Sequence, residues 1–142
     1  MLLDIVFGPL ATLGSLFLRL ALAWIFIVHG YPKLFTQSPG IKGFSKNLSN
    51  LGVPVPLLFA CVVGLTEFFG GIALLVGFAT RWAALLIAVD MIVAVLKVTH
   101  KKGFTKGPDA GYEFNIIILA GALALLVWGP GILSVDWALG VR

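Results

Sequence analysis

Four long apolar runs, at about 11–31, 55–78, 82–98 and 112–128, decide what this chain can fold into. Each is close to the ~20 residues that carry an α-helix across the ~30 Å hydrocarbon core of a bilayer. In that solvent every backbone N–H and C=O must be satisfied within the chain, so helices are the expected form. Composition points the same way: 60% of the 142 residues are hydrophobic and 11% are charged, against roughly 25% charged in a soluble domain. The chain therefore reads as all-α: an integral membrane four-helix bundle, one domain over residues 1–142. Its net charge is +4, but the basic residues cluster between apolar runs, as membrane topology alone would place them, and no nucleic acid is implied. The single cysteine, Cys61, excludes an intrachain disulfide and a C-x-x-C redox pair. Residues 1–10 carry no Lys or Arg and Arg19 interrupts the first run, a pattern unlike a removable secretory signal.

The connection 32–54 carries a second periodicity. Ile41, Phe44, Leu48 and Leu51 share one helical stripe, while Lys42, Ser45, Lys46, Asn47 and Ser49 fill the rest. Ser38-Pro39 can open such a helix and Gly52 can close it. A short amphipathic helix is expected here, lying on the membrane surface or packed on the bundle's own end. Lys33, Lys42, Lys46, Lys97, Lys101, Lys102 and Lys106 fall on one side of the bundle, Arg81 and Arg142 on the other. The positive-inside rule then sets both long connections in the cytoplasm and both termini on the opposite side of a cytoplasmic (inner) membrane. Trp82, Trp128 and Trp137 would mark the outer boundary, Tyr31 and Tyr112 the inner one.

Charges inside the runs are the candidate functional residues. Ala60, Gly64, Glu67 and Gly71 fall within about 40° of one another on a helix. Small residues admit a neighbouring backbone, so Glu67 is expected to face protein and not lipid. Arg19, Glu67 and Asp90 lie near the middles of runs one, two and three. A charge at that depth costs about 2.5–3.5 kcal/mol unless it finds a partner or a proton, so Arg19 is expected to contact Glu67, Asp90 or both. Such a network serves either to hold three helices in register or to handle protons or a quinone. Arg19, Glu67, Asp90 and Glu113 are thus the candidate catalytic residues, and His29 and Lys33 the candidates for holding a ligand head group at the water boundary. Against this, Lys33 and Lys97 could simply reach the lipid head groups, with Glu113 pairing one of them. The sequence specifies no cofactor and no metal set. A quinone would suit the polar layer, whereas axial haem ligation by His29 and His100 has no redox motif behind it.

Read in order, Arg19, then H-G-Y-P-K-L (29–34), G-L-T-E-F-F-G-G (64–71), L-L-V-G-F-A-T-R (74–81), G-Y-E-F (111–114) and G-P-G-I-L-S-V-D (129–136) form a pattern. It resembles the DoxX family of small bacterial and archaeal four-helix membrane proteins, over roughly Leu16 to Asp136. The resemblance implies characteristic polar positions at Arg19, Gly30, Lys33, Glu67, Glu113, Ser134 and Asp136; Asp90 is not one of them. It also implies association with respiratory or thiosulfate:quinone oxidoreductase complexes and with oxidative, thiol or quinone stress. Many members carry the name oxidoreductase without a demonstrated reaction. This chain has no nucleotide-binding fingerprint and no cluster-type cysteines, so a redox cofactor would come from a partner or enter as a quinone. The expected function is that of a membrane subunit associated with a quinone-linked oxidoreductase, in contact with the lipid bilayer, other membrane or redox proteins, and in some assemblies further copies of itself. The alternative is a non-catalytic scaffold or assembly factor. Small-molecule transport is disfavoured by the lack of an inverted repeat.

Overall fold

The computed structural model describes residues 13–105 and 111–141, except for the Lys101 side chain. The expected start of the first span at residue 11, and Lys106 and Arg142 of the charge count, lie outside the described residues. Among the described residues six α-helices follow in order: α1 (Gly14–Phe35), α2 (Gly40–Asn50), α3 (Pro56–Val76), α4 (Thr80–Ala94), α5 (Glu113–Trp128) and α6 (Val135–Ala138). α4 continues as a π turn over Val95–Thr99 and a 3-10 turn over His100–Lys102. α1, α3 and the 20-residue stretch Thr80–Thr99 are long and apolar enough to cross a membrane. α5, with 16 residues, is the short fourth member. The architecture is the four-helix membrane bundle that the run lengths call for, with the amphipathic helix α2 between the first two spans.

The first span does not stop before Pro32. A proline costs a helix the bond its missing N–H would make, but here it sits in the last turn, where few bonds follow. The helix runs on to Phe35, and the Thr36 N–H donates to the Pro32 carbonyl at 3.3 Å. What holds this last turn is packing: Leu34 lies over Gly64, and the Phe35 ring meets Phe68 edge-on at 5.0 Å.

α1 and α3 make the closest helix pair. A Cβ at Gly30 would fall 2.5 Å from the Phe68 backbone nitrogen, and one at Gly71 would fall 2.9 Å from the backbone nitrogen of Ile27. Only hydrogen fits at either place. On α3 the buried residues are Ala60, Gly64, Glu67, Gly71 and Leu74, the small-residue face with its carboxylate turned inward. Leu22 and Phe26 of α1, Leu74 of α3, Ile87 and Met91 of α4, and Ile118 and Leu125 of α5 fill the core. Trp24, Leu86, Ile117 and Val127 point outward, which suits a surface solvated by lipid. Of the two placements open to α2, the structure shows packing on the bundle end: Leu48 is buried, and the Phe44 ring centre lies 4.6 Å from Lys33 Nζ.

At the other end the chain after α5 folds back into the bundle. α3 ends at Gly77 (φ 71°) and α4 begins after Ala79 (φ 47°), which has no capping side chain of its own. Asp136 supplies the cap. Its Oδ1 accepts from the Ala79 N–H at 2.7 Å and its Oδ2 from the Thr80 N–H at 2.8 Å, while its own N–H donates to the Gly77 carbonyl at 2.9 Å. A carboxylate at a helix N-terminus satisfies orphan donors and sits well in the helix dipole. Arg19, 1% exposed, ties the same segment to α1: Nη1 donates to the Pro130 carbonyl at 2.7 Å and Nη2 to that of Leu133 at 2.8 Å. Ser15 Oγ donates to the Gly129 carbonyl at 2.7 Å, and Arg81 donates to the last carbonyls of α5, Leu126 and Val127. Gly77 is needed twice: its φ is positive, and a Cβ would sit 2.4 Å from Arg19 Nη1.

Arg19→Met keeps the side-chain stem but removes the donors, stranding the carbonyls of Pro130 and Leu133. Each buried acceptor left unsatisfied costs about 1–3 kcal/mol. The folded, monodisperse fraction recovered in detergent should fall steeply for Arg19→Met and stay unchanged for Lys42→Met on the exposed face of α2. Equal yields and melting temperatures for the two variants would contradict the lock.

Candidate functional site

The α1–α3 approach has a chemical consequence at the end closed by α2. It sets Lys33, one turn from the end of α1, against Glu67 of α3, and Nζ and Oε2 form an ion pair. Glu67 is 5% exposed, so this charge needs its partner. α4 brings Asp90 to the same region. Asp90 makes no hydrogen bond among the described residues, and its Oδ2 is buried. Lys33, Glu67 and Asp90 together carry one formal positive and two formal negative charges.

These three groups line a cavity of about 370 Å³. Its wall is mostly apolar: Ile25 and Phe26 from α1, Phe44 and Leu48 from α2, Val63 from α3, Met91 and Ala94 from α4, Phe114 and Ile118 from α5. His29, Thr99 and Asn115 complete the polar part. Asn115 Nδ2 donates only to the Met91 sulfur, at 3.5 Å, a weak acceptor. An apolar cleft of this size with a few convergent polar groups is the ordinary form of a small-molecule site. α2 covers its end, with Phe44 stacked against the ammonium of Lys33.

Among the residues singled out from sequence, Glu67, Asp90, His29 and Lys33 come together at this cavity. Arg19 does not, and the expected Arg19 contact with Glu67 or Asp90 is replaced by its bonds to the tail carbonyls. Gly77, which the guanidinium touches, follows Glu67 by ten residues, which is about 15 Å along a helix. The reason lies in the span boundaries. A first span at 11–31 centres on Arg19, whereas α1 runs from Gly14 to Phe35 and leaves Arg19 in its second turn. Glu113 sits half-buried in the first turn of α5, off the cavity wall and with no ion pair among the described residues. Its neighbours Phe114 and Asn115 line the wall instead. Lys97 and His100 are exposed beyond the end of α4. Asn115 and Thr99 were not foreseen as site residues. Asn115 carried a signal, being the one amide in the apolar run 112–128.

The DoxX family model matches residues 14–100, from α1 through the turn that ends α4, and so includes Lys33, Glu67 and Asp90. The chain is 32% identical over 134 residues to Inner membrane protein YphA of Escherichia coli (strain K12), covering 92% of this chain and 93% of that one. It is 33% identical over 129 residues to Inner membrane protein YqjF of the same organism, covering 89% and 92%. It is 30% identical over 124 residues to a Bacillus subtilis (strain 168) protein named "Putative oxidoreductase CatD", covering 87% and 85%. No solved structure matches. With its apolar helices, its inner-membrane relatives and a family match over most of its length, this chain is a multi-pass membrane protein that belongs to the DoxX family.

Proposed function

We propose that this chain is the membrane subunit of a quinone-linked oxidoreductase system and that a quinone head group occupies the cavity beneath α2. The observation that carries this is the cavity itself: a mostly apolar space between the helices whose wall carries the polar groups Lys33, Glu67, Asp90, His29 and Asn115. The residues present fit such a ligand. Phe26, Phe44 and Phe114 offer apolar surface to a flat ring, Lys33, His29 and Asn115 carry donors for ring oxygens, and the carboxyl groups of Glu67 and Asp90 line the same wall. When bound, a quinone supplies coupled electron and proton exchange. The protein's part is to orient the ring, keep water out through α2, and hold charge through the Lys33–Glu67 pair. Electrons would come from a partner, since the chain has one cysteine and no nucleotide-binding fingerprint. The oxidoreductase name of the Bacillus subtilis relative is consistent with this class. The chain acts as one membrane domain, with both basic connections in the cytoplasm and both termini on the far side. A scaffold role has its own support in Arg19 and Asp136, whose charged side chains each bond backbone groups that hold the tail to the bundle.

Two measurements check these proposals. Protein purified in mild detergent should yield a quinone on organic extraction, identified by mass spectrometry. Ala94→Phe, which places a ring in the cavity, should lose most of it while keeping the wild-type melting temperature. Equal quinone content in both proteins would remove the cavity as the site, and none in either would leave the scaffold role standing. For orientation, single cysteines at Lys46 and Leu139, both exposed, in a Cys61→Ser background should react with a membrane-impermeant thiol reagent from opposite sides, Lys46→Cys from the cytoplasm. Labelling of both from one side would refute the arrangement.

A further inference from the structure

Asp90 is the group this site leaves unsatisfied. Glu67 holds Lys33, and Lys33 is engaged by both Glu67 and the Phe44 ring. Asp90 lines the cavity yet makes no hydrogen bond among the described residues, and its Oδ2 is buried. Polar groups buried in a protein nearly always have a partner, and a carboxyl within a membrane is costly without one. The groups facing it do not offer one. From α1 come Lys33, committed to Glu67, and His29, on the exposed rim; from α3 comes Glu67, another acceptor. α2 and α5 bring no charged side chain to the wall, and the Asn115 amide donates toward Met91. A ligand can complete the ionised carboxylate only if it brings a donor, whereas a protonated Asp90 would itself donate.

Resting on the quinone reading above, we infer that Asp90 is a specificity-determining acceptor, and that the cavity holds the reduced, hydroxyl-bearing hydroquinone in preference to the quinone. The two forms share a ring of nearly the same size and apolarity, so the aromatic wall does not separate them. They differ at the ring oxygens. A quinone carbonyl has lone pairs only and meets the lone pairs of Asp90, whereas a hydroquinone O–H donates to them. Hydrogen bonds from O–H to a carboxylate are among the short, strong ones, and their strength corresponds to a preference of about tenfold or more.

The test is equilibrium binding, under anaerobic conditions, of tetramethyl-1,4-hydroquinone and tetramethyl-1,4-benzoquinone to the purified protein in lipid nanodiscs. Wild type should bind the hydroquinone at least about tenfold more tightly. Asp90→Asn, which keeps the shape and replaces one oxygen with a donor, should bring the ratio to about one or invert it, with its melting temperature measured alongside. Equal affinities, or tighter quinone binding as a protonated Asp90 donating to a carbonyl would give, overturn the inference while leaving the quinone reading intact. A preference that survives in Asp90→Asn overturns the role of Asp90. Binding of neither form overturns both. Should Asp90→Asn fail to fold, Asp90→Ser, which shortens the side chain and removes the carboxylate, takes its place with the same expected loss of preference.

Discussion

Backbone contact between α1 and α3 is what the chemistry of this protein hangs on. In a bilayer the lipid is as apolar as leucine, so helices associate through close packing and polar pairing and not by escape from water. Gly30 and Gly71 remove the side chains that would hold the two helices apart, and Gly64 receives Leu34. With the helices that close, the stem of Lys33 lies along α3 and its ammonium meets Glu67. A larger residue at Gly30 would push against Phe68 and draw the cation away from a carboxylate that has no water to fall back on.

The charges of the chain are divided between two ends, and the division suits two tasks. Around Arg19 most polar groups meet a fixed partner: both Nη atoms bond tail carbonyls and the Asp136 carboxylate caps two helix N–H groups, while Arg19 Nε and Thr80 Oγ1 make no hydrogen bond among the described residues. Arginine suits that place because its charge is permanent and its planar fork reaches two acceptors at once. At the other end Lys33 pairs with Glu67, and Asp90, beside the cavity, makes no hydrogen bond among the described residues. A closed network rigidifies, whereas an open one leaves valence for a ligand.

Much of the fold could be read from the chain because bilayer thickness and helix pitch act locally. Run lengths gave the helix count, the stripe Ile41, Phe44, Leu48 located α2, and the spacing of Ala60, Gly64, Glu67 and Gly71 turned the carboxylate inward. Partner choice was harder, because it depends on register between helices. Placing the first span three or four residues early moved Arg19 to mid-membrane and drew Lys33 away from Glu67. The true partners of Arg19 are backbone carbonyls of the non-helical segment 129–134, and a carbonyl has no letter in the sequence. Asp136 was visible as a polar position but not as the cap of a helix 56 residues earlier. Asn115 has no charge to mark it, whereas Glu113, the charged group two residues before it, lies off the cavity wall.

Whether the charges really form two independent groups can be read from double-mutant cycles on thermal or denaturant stability in detergent. Lys33→Met and Glu67→Gln, singly and together, should show a coupling of about 1–3 kcal/mol, as contacting charges do. Arg19→Met combined with Glu67→Gln should be additive to within about 0.5 kcal/mol, as for sites that share no partner. An Arg19–Glu67 coupling as large as that of Lys33–Glu67, or no coupling between Lys33 and Glu67, would contradict the two-ended arrangement.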